Sequence, residues 1–264
     1  MKTIKIGLLG LGNIGTGTYK TLEMNRSEIE STLNAKVEIV KILERDTERD
    51  RGITVPKEKF TSDPDEIFQD PEIDIVIELL GGIEPATTFM LSALKNGKHV
   101  VTANKAALAA NYHELINAAK ENNVILRFEA SVGGGIPILG TLTGPLRANK
   151  FEEVMGILNG TTNYILTMMT KEGLDYETAL KDAQEQGFAE ADPTADVEGI
   201  DAANKLTILM ALMFDKYVAP KDIPTTGITE ITKEKIEEAR SNGCKIKLIA
   251  HAWRDDNDEI KYEV

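Results

Sequence analysis

Short apolar runs rich in β-branched residues recur through the first half of the chain, each followed by a stretch with helical spacing. The runs predict strands at Ile4–Leu9, Val37–Leu43, Ile73–Glu78, His99–Thr102 and Val124–Phe128. Between them the pattern predicts helices near Ile14–Glu23, Pro64–Phe68, Pro85–Asn96 and Lys105–Asn122, with Asn96-Gly97 suited to a left-handed stop. Strands alternating with helices form βαβ units, which build a parallel sheet. The runs are apolar throughout rather than alternating, as expected when helices cover both faces. Residues 1–130 therefore read as a doubly wound α/β domain.

The pattern changes after Ala130. SVGGGIP (Ser131–Pro137) is too rich in glycine for a regular element and reads as the passage into a second domain, residues 131–264. There the spacing predicts a strand at Val154–Leu158 and helices at Thr161–Lys171, Tyr176–Gln186, Asp201–Met213 and Lys233–Ser241. Lys245–Trp253 and IKYEV (Ile260–Val264) read as further strands, giving an α+β domain. A closing strand with nothing after it to pair with leads us to expect that this domain is incomplete at its C-terminal end.

Composition narrows the function classes. The 264 residues are 42% hydrophobic and carry 30 basic against 43 acidic side chains, a net charge of −13. An acidic chain repels phosphate backbones, which argues against nucleic acid. The single cysteine, Cys244, forms no intramolecular disulfide and fits a reducing compartment. No apolar run is long enough to span a bilayer, so the expectation is a soluble, cytoplasmic protein.

Four stretches carry candidate chemistry. GLGNIG (Gly10–Gly15) follows a strand and opens a helix, the setting of a Rossmann-type dinucleotide loop. Gly10 permits the tight turn, Gly12 lets the backbone approach a pyrophosphate, Gly15 lets helix pack on strand, and the helix N-terminus through Asn13 and Ile14 favours the anion. At the end of the second strand, Glu44 suits a ribose 2′-hydroxyl and NAD, whereas the adjacent Arg45 suits a 2′-phosphate and NADP; the residues leave both open. HVVTANKAAL puts Ala103, Asn104 and Lys105 at the carboxyl end of a parallel strand, where open α/β sheets hold ligands, and a lysine in a helix's first turn opposes the macrodipole. EASVGGGIPI offers Glu129 and flanking carbonyls as oxygen ligands for a hard cation, or is a plain hinge.

The fourth stretch, GFAEADPTADVEGIDAANK (Gly187–Lys205), holds Glu190, Asp192, Asp196, Glu198 and Asp201 and ends in a lysine. With a helix starting near Gly199, Asp201 and Lys205 lie one turn apart on one face. One reading is an exposed ion pair of a few tenths of a kcal/mol. The other points both into a cleft, where the ammonium gives a proton to a carbonyl oxygen as hydride arrives and Glu190 and Asp201 grip an amino-acid ammonium.

This stretch, preceded by Ala183, resembles the diagnostic segment of the homoserine dehydrogenase family over its whole length. GLLGLGNIGTG, IELLGGIEPA, HVVTANKAAL, FEASVGGGIPI and GILNGTTNYIL extend the resemblance in order from Gly7 to Leu166. The resemblance implies a Rossmann-type domain followed by an α+β substrate and dimerisation domain, a homodimer, and reversible reduction of L-aspartate 4-semialdehyde to L-homoserine with NADPH or NADH. It implies Lys205 as proton donor and acceptor, Asp201 and Glu190 on the amino-acid substrate, Lys105 beside nicotinamide and substrate, and Gly187 at the cofactor edge. Glu129 with the backbone of Val132, Gly134 and Ile136 matches the family's monovalent-cation site, usually sodium. Arg45 falls where the family often has a base for the 2′-phosphate, so the reading leans to NADP. Two rivals fit less well. A thioester-forming semialdehyde dehydrogenase needs a nucleophilic cysteine in the catalytic segment, and ILNGTTNY has none. A redox-sensing module that only binds NAD(H) has no use for two lysines and two acids in one site.

Overall fold

The computed structural model describes residues 2–264 and divides into two compact units, one through Gly135 and one from Ile136 onward. In the first, β1 (Thr3–Leu9), β2 (Lys36–Leu43), β3 (Phe60–Thr61), β4 (Ile75–Glu78), β5 (His99–Thr102) and β6 (Leu126–Arg127) form one sheet in the order β3-β2-β1-β4-β5-β6. Every pair is parallel. The connections carry α1 (Asn13–Met24), α2 (Arg26–Leu33), α3 (Asp65–Phe68), α4 (Ala86–Lys95), α5 (Lys105–Ala110) and α6 (Tyr112–Glu121). Winding reverses between β1 and β4, and that switch opens a crevice at the strands' carboxyl ends.

The apolar runs supply the core. Leu8, Leu9, Ile42, Val76 and Val100 are fully buried from the sheet, and Met90, Leu94, Leu108 and Leu115 from the helices. Burying each such side chain contributes about 1.5–3 kcal/mol. The predicted helix over Lys105–Asn122 is two helices, because Asn111 leaves helical geometry (φ −127°, ψ 31°) between them. Helix α2 escapes sequence reading because it buries no residue. It is anchored by polar contacts instead: Arg26 donates to the Val37 carbonyl and Glu30 accepts from the Val37 N–H.

The second unit contains α7 (Ile138–Thr143), β7 (Glu153–Gly156), α8 (Gly160–Glu172), α9 (Tyr176–Glu185), α10 (Thr194–Val197), α11 (Ile200–Met213), α12 (Lys233–Ser241), β8 (Ala250–Arg254) and β9 (Ile260–Glu263). The strands form an antiparallel sheet in the order β7-β8-β9. Helix α11 is buried nearly all round, through Ala202, Ala203, Leu206, Ile208, Leu209 and Met210, as befits a core helix. It packs with Ile165, Leu166 and Met169 of α8 and with Ala250 and Ala252 of β8 in one cluster. The strand expected over Lys245–Trp253 begins only at Ala250. Ile246 and Leu248 pack into the core without a partner strand, so their apolar run reports burial rather than a ladder. Cys244, just before that run, is exposed shortly after α12. Among the described residues no helix is long and apolar enough to cross a membrane.

Candidate active site

In the first unit the glycine loop joins β1 to α1. Gly10 N–H donates to the Leu43 carbonyl (3.0 Å), tying the turn to the end of β2. Gly12 is the N-cap of α1 and provides no side-chain cap, so the first-turn N–H groups at Asn13, Ile14 and Gly15 face an anion's natural position. A Cβ on Gly15 would lie 2.2 Å from the Gly10 carbonyl oxygen, whereas one on Gly12 would meet nothing within 4 Å. Gly15 is thus the packing glycine, and Gly12 is the open face a pyrophosphate can approach.

Glu44, which the sequence left open as a partner for a ribose hydroxyl, turns its carboxylate onto the backbone around the glycine loop. Its Oε2 accepts from the Leu11 N–H (2.9 Å) and lies 3.3 Å from the Arg51 guanidinium; its Oε1 accepts from the N–H groups of Arg45 (2.9 Å) and Asp46 (3.1 Å). Three N–H donors and one guanidinium charge thus engage the carboxylate from within the protein. Burial raises the Glu44 carboxyl, but the N–H donors of Leu11, Asp46 and Arg45 and the Arg51 charge outweigh it and hold it below the usual range. Arg51 completes the clasp by donating to the Leu11 carbonyl (2.7 Å). A cavity of about 320 Å³ beside the loop is lined by Leu11, Gly12, Asn13, Thr16, Arg49 and Arg51, together with Asp50. Arg45 is exposed and does not line it; Arg49 and Arg51 are basic residues the sequence reading did not name.

Across the sheet switch, buried Glu78 ends β4. It accepts from Leu80 N–H (2.8 Å) and the Thr102 hydroxyl (2.7 Å). Asn104 donates to the Gly82 carbonyl (2.7 Å) and caps α5 by accepting from Ala107 N–H (3.0 Å). This frame holds Ala103 and the first helical residue, Lys105, at the carboxyl end of β5. Further along, Glu129 opens a single 3₁₀ turn, and Val132 follows in extended conformation, buried.

In the second unit the acids of the Gly187–Lys205 stretch separate into two groups. Glu190, Asp192 and Glu198 are exposed. The Glu190 carbonyl accepts from Gln184 Nε2 (3.1 Å), and Gly187 sits on the exposed turn after α9. Asp196 and Asp201 turn inward. Gly199 adopts φ 79° as N-cap of α11, a left-handed conformation natural to glycine, and the helix then carries Asp201 and Lys205 on one face. The Lys205 ammonium donates to Asp201 Oδ2 and to the Leu158 carbonyl, each at 2.6 Å. Side-chain exposure is 16% for Lys205 and 5% for Asp201, so the reading as an exposed surface pair fails.

One side chain of this cluster was missed by sequence reading. Asn159, the N-cap of α8, donates to Asp196 Oδ1 (2.6 Å) and Asp201 Oδ2 (2.9 Å), linking residues 37 and 42 positions away. The available signal was an asparagine three residues before Thr162, a helix-capping pattern. It marks a helix start and says nothing of distant acids.

A family model described as "Homoserine dehydrogenase, NAD binding domain" matches residues 10–129, and one described as "Homoserine dehydrogenase" matches residues 137–264. A solved structure from Archaeoglobus fulgidus ascribed to homoserine dehydrogenase is 35% identical with a TM-score of 0.85, covering 98% of this chain and 82% of that one. The chain belongs to the homoserine dehydrogenase family. A homoserine dehydrogenase structure from Thiobacillus denitrificans is 43% identical with a TM-score of 0.95, covering 100% of this chain and 61% of that one. The homoserine dehydrogenase of Bacillus subtilis is 46% identical over 255 residues, 97% of this chain and 59% of that protein. The chain thus spans about three fifths of the length of the curated relatives it matches.

Proposed function

We propose that the protein catalyses reversible hydride transfer between L-homoserine and L-aspartate 4-semialdehyde, with NADP the favoured nicotinamide cofactor, on the route to threonine, methionine and isoleucine. One observation carries this reading: two of the three ammonium protons of Lys205 are committed, to Leu158 and Asp201, which leaves one to direct at a substrate. The bound nicotinamide supplies or accepts the hydride. As hydride reaches the aldehyde carbon, Lys205 donates a proton to the aldehyde oxygen and yields the alcohol; in the reverse direction the neutral amine takes the hydroxyl proton. Asp201 orients Lys205 and, with Glu190, binds the substrate's α-ammonium. Lys105 serves nicotinamide and substrate from the start of α5, and Gly187 borders the cofactor.

The loop from Gly10 to Gly15 would hold the pyrophosphate, a reading supported by the uncapped N-terminus of α1 and the open face of Gly12. Glu129 and the carbonyls of Val132, Gly134 and Ile136 would hold a monovalent cation, sodium, through oxygen ligands of the kind a hard ion takes. A cytoplasmic homodimer completes the proposal. Its support is the outward surface at β7, where Met155 is 62% and Ile157 44% exposed. Sedimentation at the dimer mass is the expected result.

A thioester mechanism is disfavoured because Cys244 lies on an exposed turn outside the Lys205 cluster. The decisive assay is loss of reduced-nicotinamide absorbance on adding L-aspartate 4-semialdehyde; NADPH binding without turnover favours a sensing module instead. For cofactor choice, Arg45→Ala should weaken NADPH about tenfold and leave NADH nearly unchanged, the value of one charge-assisted contact to a phosphate. Equal effects in paired titrations would remove Arg45 from phosphate recognition.

A further inference from the structure

We propose that Asn159 is the positioning residue of the Lys205–Asp201 pair, an inference that rests on the role given to Lys205 above. A carboxamide has two N–H donors and one carbonyl with two lone pairs, and at Asn159 all four are used. Nδ2 donates to Asp196 Oδ1 (2.6 Å) and to Asp201 Oδ2 (2.9 Å), while Oδ1 accepts from the N–H and the hydroxyl of Thr162, both at 2.8 Å. The reversed amide would set its oxygen against two carboxylates and its N–H₂ against a backbone N–H, so the network admits one orientation. The side chain is nearly buried, at 5% exposure, so water does not readily replace these bonds.

The oxygen that Asn159 holds is the one that matters. Asp201 Oδ2 accepts from both Asn159 and the Lys205 ammonium. The amide therefore fixes the acceptor that fixes the proton donor. The adjacent residue, Leu158, supplies the other acceptor for Lys205 through its carbonyl. Residues 158 and 159 thus form a jig for the ammonium at the start of α8, a helix anchored in the core by Ile165, Leu166 and Met169. Asn159 also bridges Asp196 and Asp201, neighbouring carboxylates that would otherwise repel.

A plain capping role predicts something different. Serine and aspartate cap helices about as well as asparagine, so Asn159→Ser and Asn159→Asp would be neutral if capping were all. A serine hydroxyl has a single donor and cannot bridge two carboxylates; an aspartate replaces both donors with charge. Both variants should fold with a lowered melting transition, because the two carboxylates lose their bridge, and keep the KM for NADPH within about twofold, while kcat falls about 10- to 100-fold, the size expected when a reacting group is misplaced by an ångström. A second readout needs no turnover: acetylation of Lys205 by a water-soluble N-hydroxysuccinimide ester, followed by peptide mass spectrometry, should rise severalfold once Asp201 is no longer pinned. Parent-like kcat or parent-like Lys205 labelling in a folded variant overturns the inference. Should the parent itself lack turnover with L-aspartate 4-semialdehyde, the functional reading falls and the labelling ratio alone decides the role of Asn159. Should Asn159→Asp, which sets a third carboxylate against Asp196 and Asp201, fail to fold, Asn159→Ser carries the test.

Discussion

Lys205→Met lowers kcat by about 10²–10⁴-fold, the range for loss of a positioned general acid, and leaves the dissociation constant for NADPH nearly unchanged. The second half of this prediction follows from the fold, because the glycine loop belongs to the first unit and Lys205 to the second. Methionine keeps the length of the stem and removes the charge. Asp201, 5% exposed at its side chain, then loses the cation it pairs with. Breaking such a pair from one side costs about 3–5 kcal/mol when both partners are buried; the partial exposure of Lys205 and the surviving bond from Asn159 reduce that figure. A lowered melting temperature should accompany the lost turnover. Adding Asp201→Asn to Lys205→Met removes the stranded charge, so the double variant should regain part of the stability and none of the activity. Steady-state assays, cofactor titration and calorimetry on the three proteins check this. A large loss of NADPH binding in folded Lys205→Met would contradict the assigned role.

Gly15→Ala should impair both fold and cofactor binding in the first unit. The new methyl would stand 2.2 Å from the Gly10 carbonyl oxygen and 3.0 Å from its carbon. Both are backbone atoms in the turn that Gly10 ties to Leu43, so no side chain can swing away. Helix α1 must shift from the end of β1, at about 1–3 kcal/mol of overpacking. Its N-terminus leaves the phosphates by the same movement. Loss of one charge-assisted hydrogen bond, about 1.5–3 kcal/mol, weakens NADPH roughly 10- to 100-fold. Gly12→Ala is the informative contrast. Its φ of −72° suits alanine and its Cβ meets no protein atom within 4 Å. It should therefore leave the melting temperature unchanged while weakening NADPH, because the methyl occupies the approach of the pyrophosphate. Titration and melting of both variants separate a packing glycine from a contact glycine; equal melting temperatures would undo the distinction.

The first unit was largely readable in advance. Ile4–Leu9, Val37–Leu43 and His99–Thr102 are apolar runs too short for helices, and in a sheet covered on both faces such runs have few alternatives. GLGNIG declared its loop because tight turn, backbone approach and helix packing each demand a glycine at that spacing. Helix α2 stayed hidden because it buries nothing, and amphipathic spacing is the signal on which sequence reading depends. Ile246 and Leu248 misled for the opposite reason: an apolar run records that residues leave water, and core burial without strand pairing leaves the same mark.

In the site, the sequence by itself determined the residue types and the i,i+4 spacing that lets Asp201 and Lys205 meet. It also placed Lys105 at the start of a helix. Only the tertiary structure decided that the pair is largely withdrawn from solvent, that Glu44 turns its carboxylate onto the Leu11 backbone, and that Asn159 reaches two acids far along the chain. Local backbone geometry sets which neighbours within a few residues can touch, and composition and spacing record it. Burial and hydrogen bonds over some forty residues depend on how α8 and α11 pack in the second unit's core, a many-body outcome that no single stretch encodes.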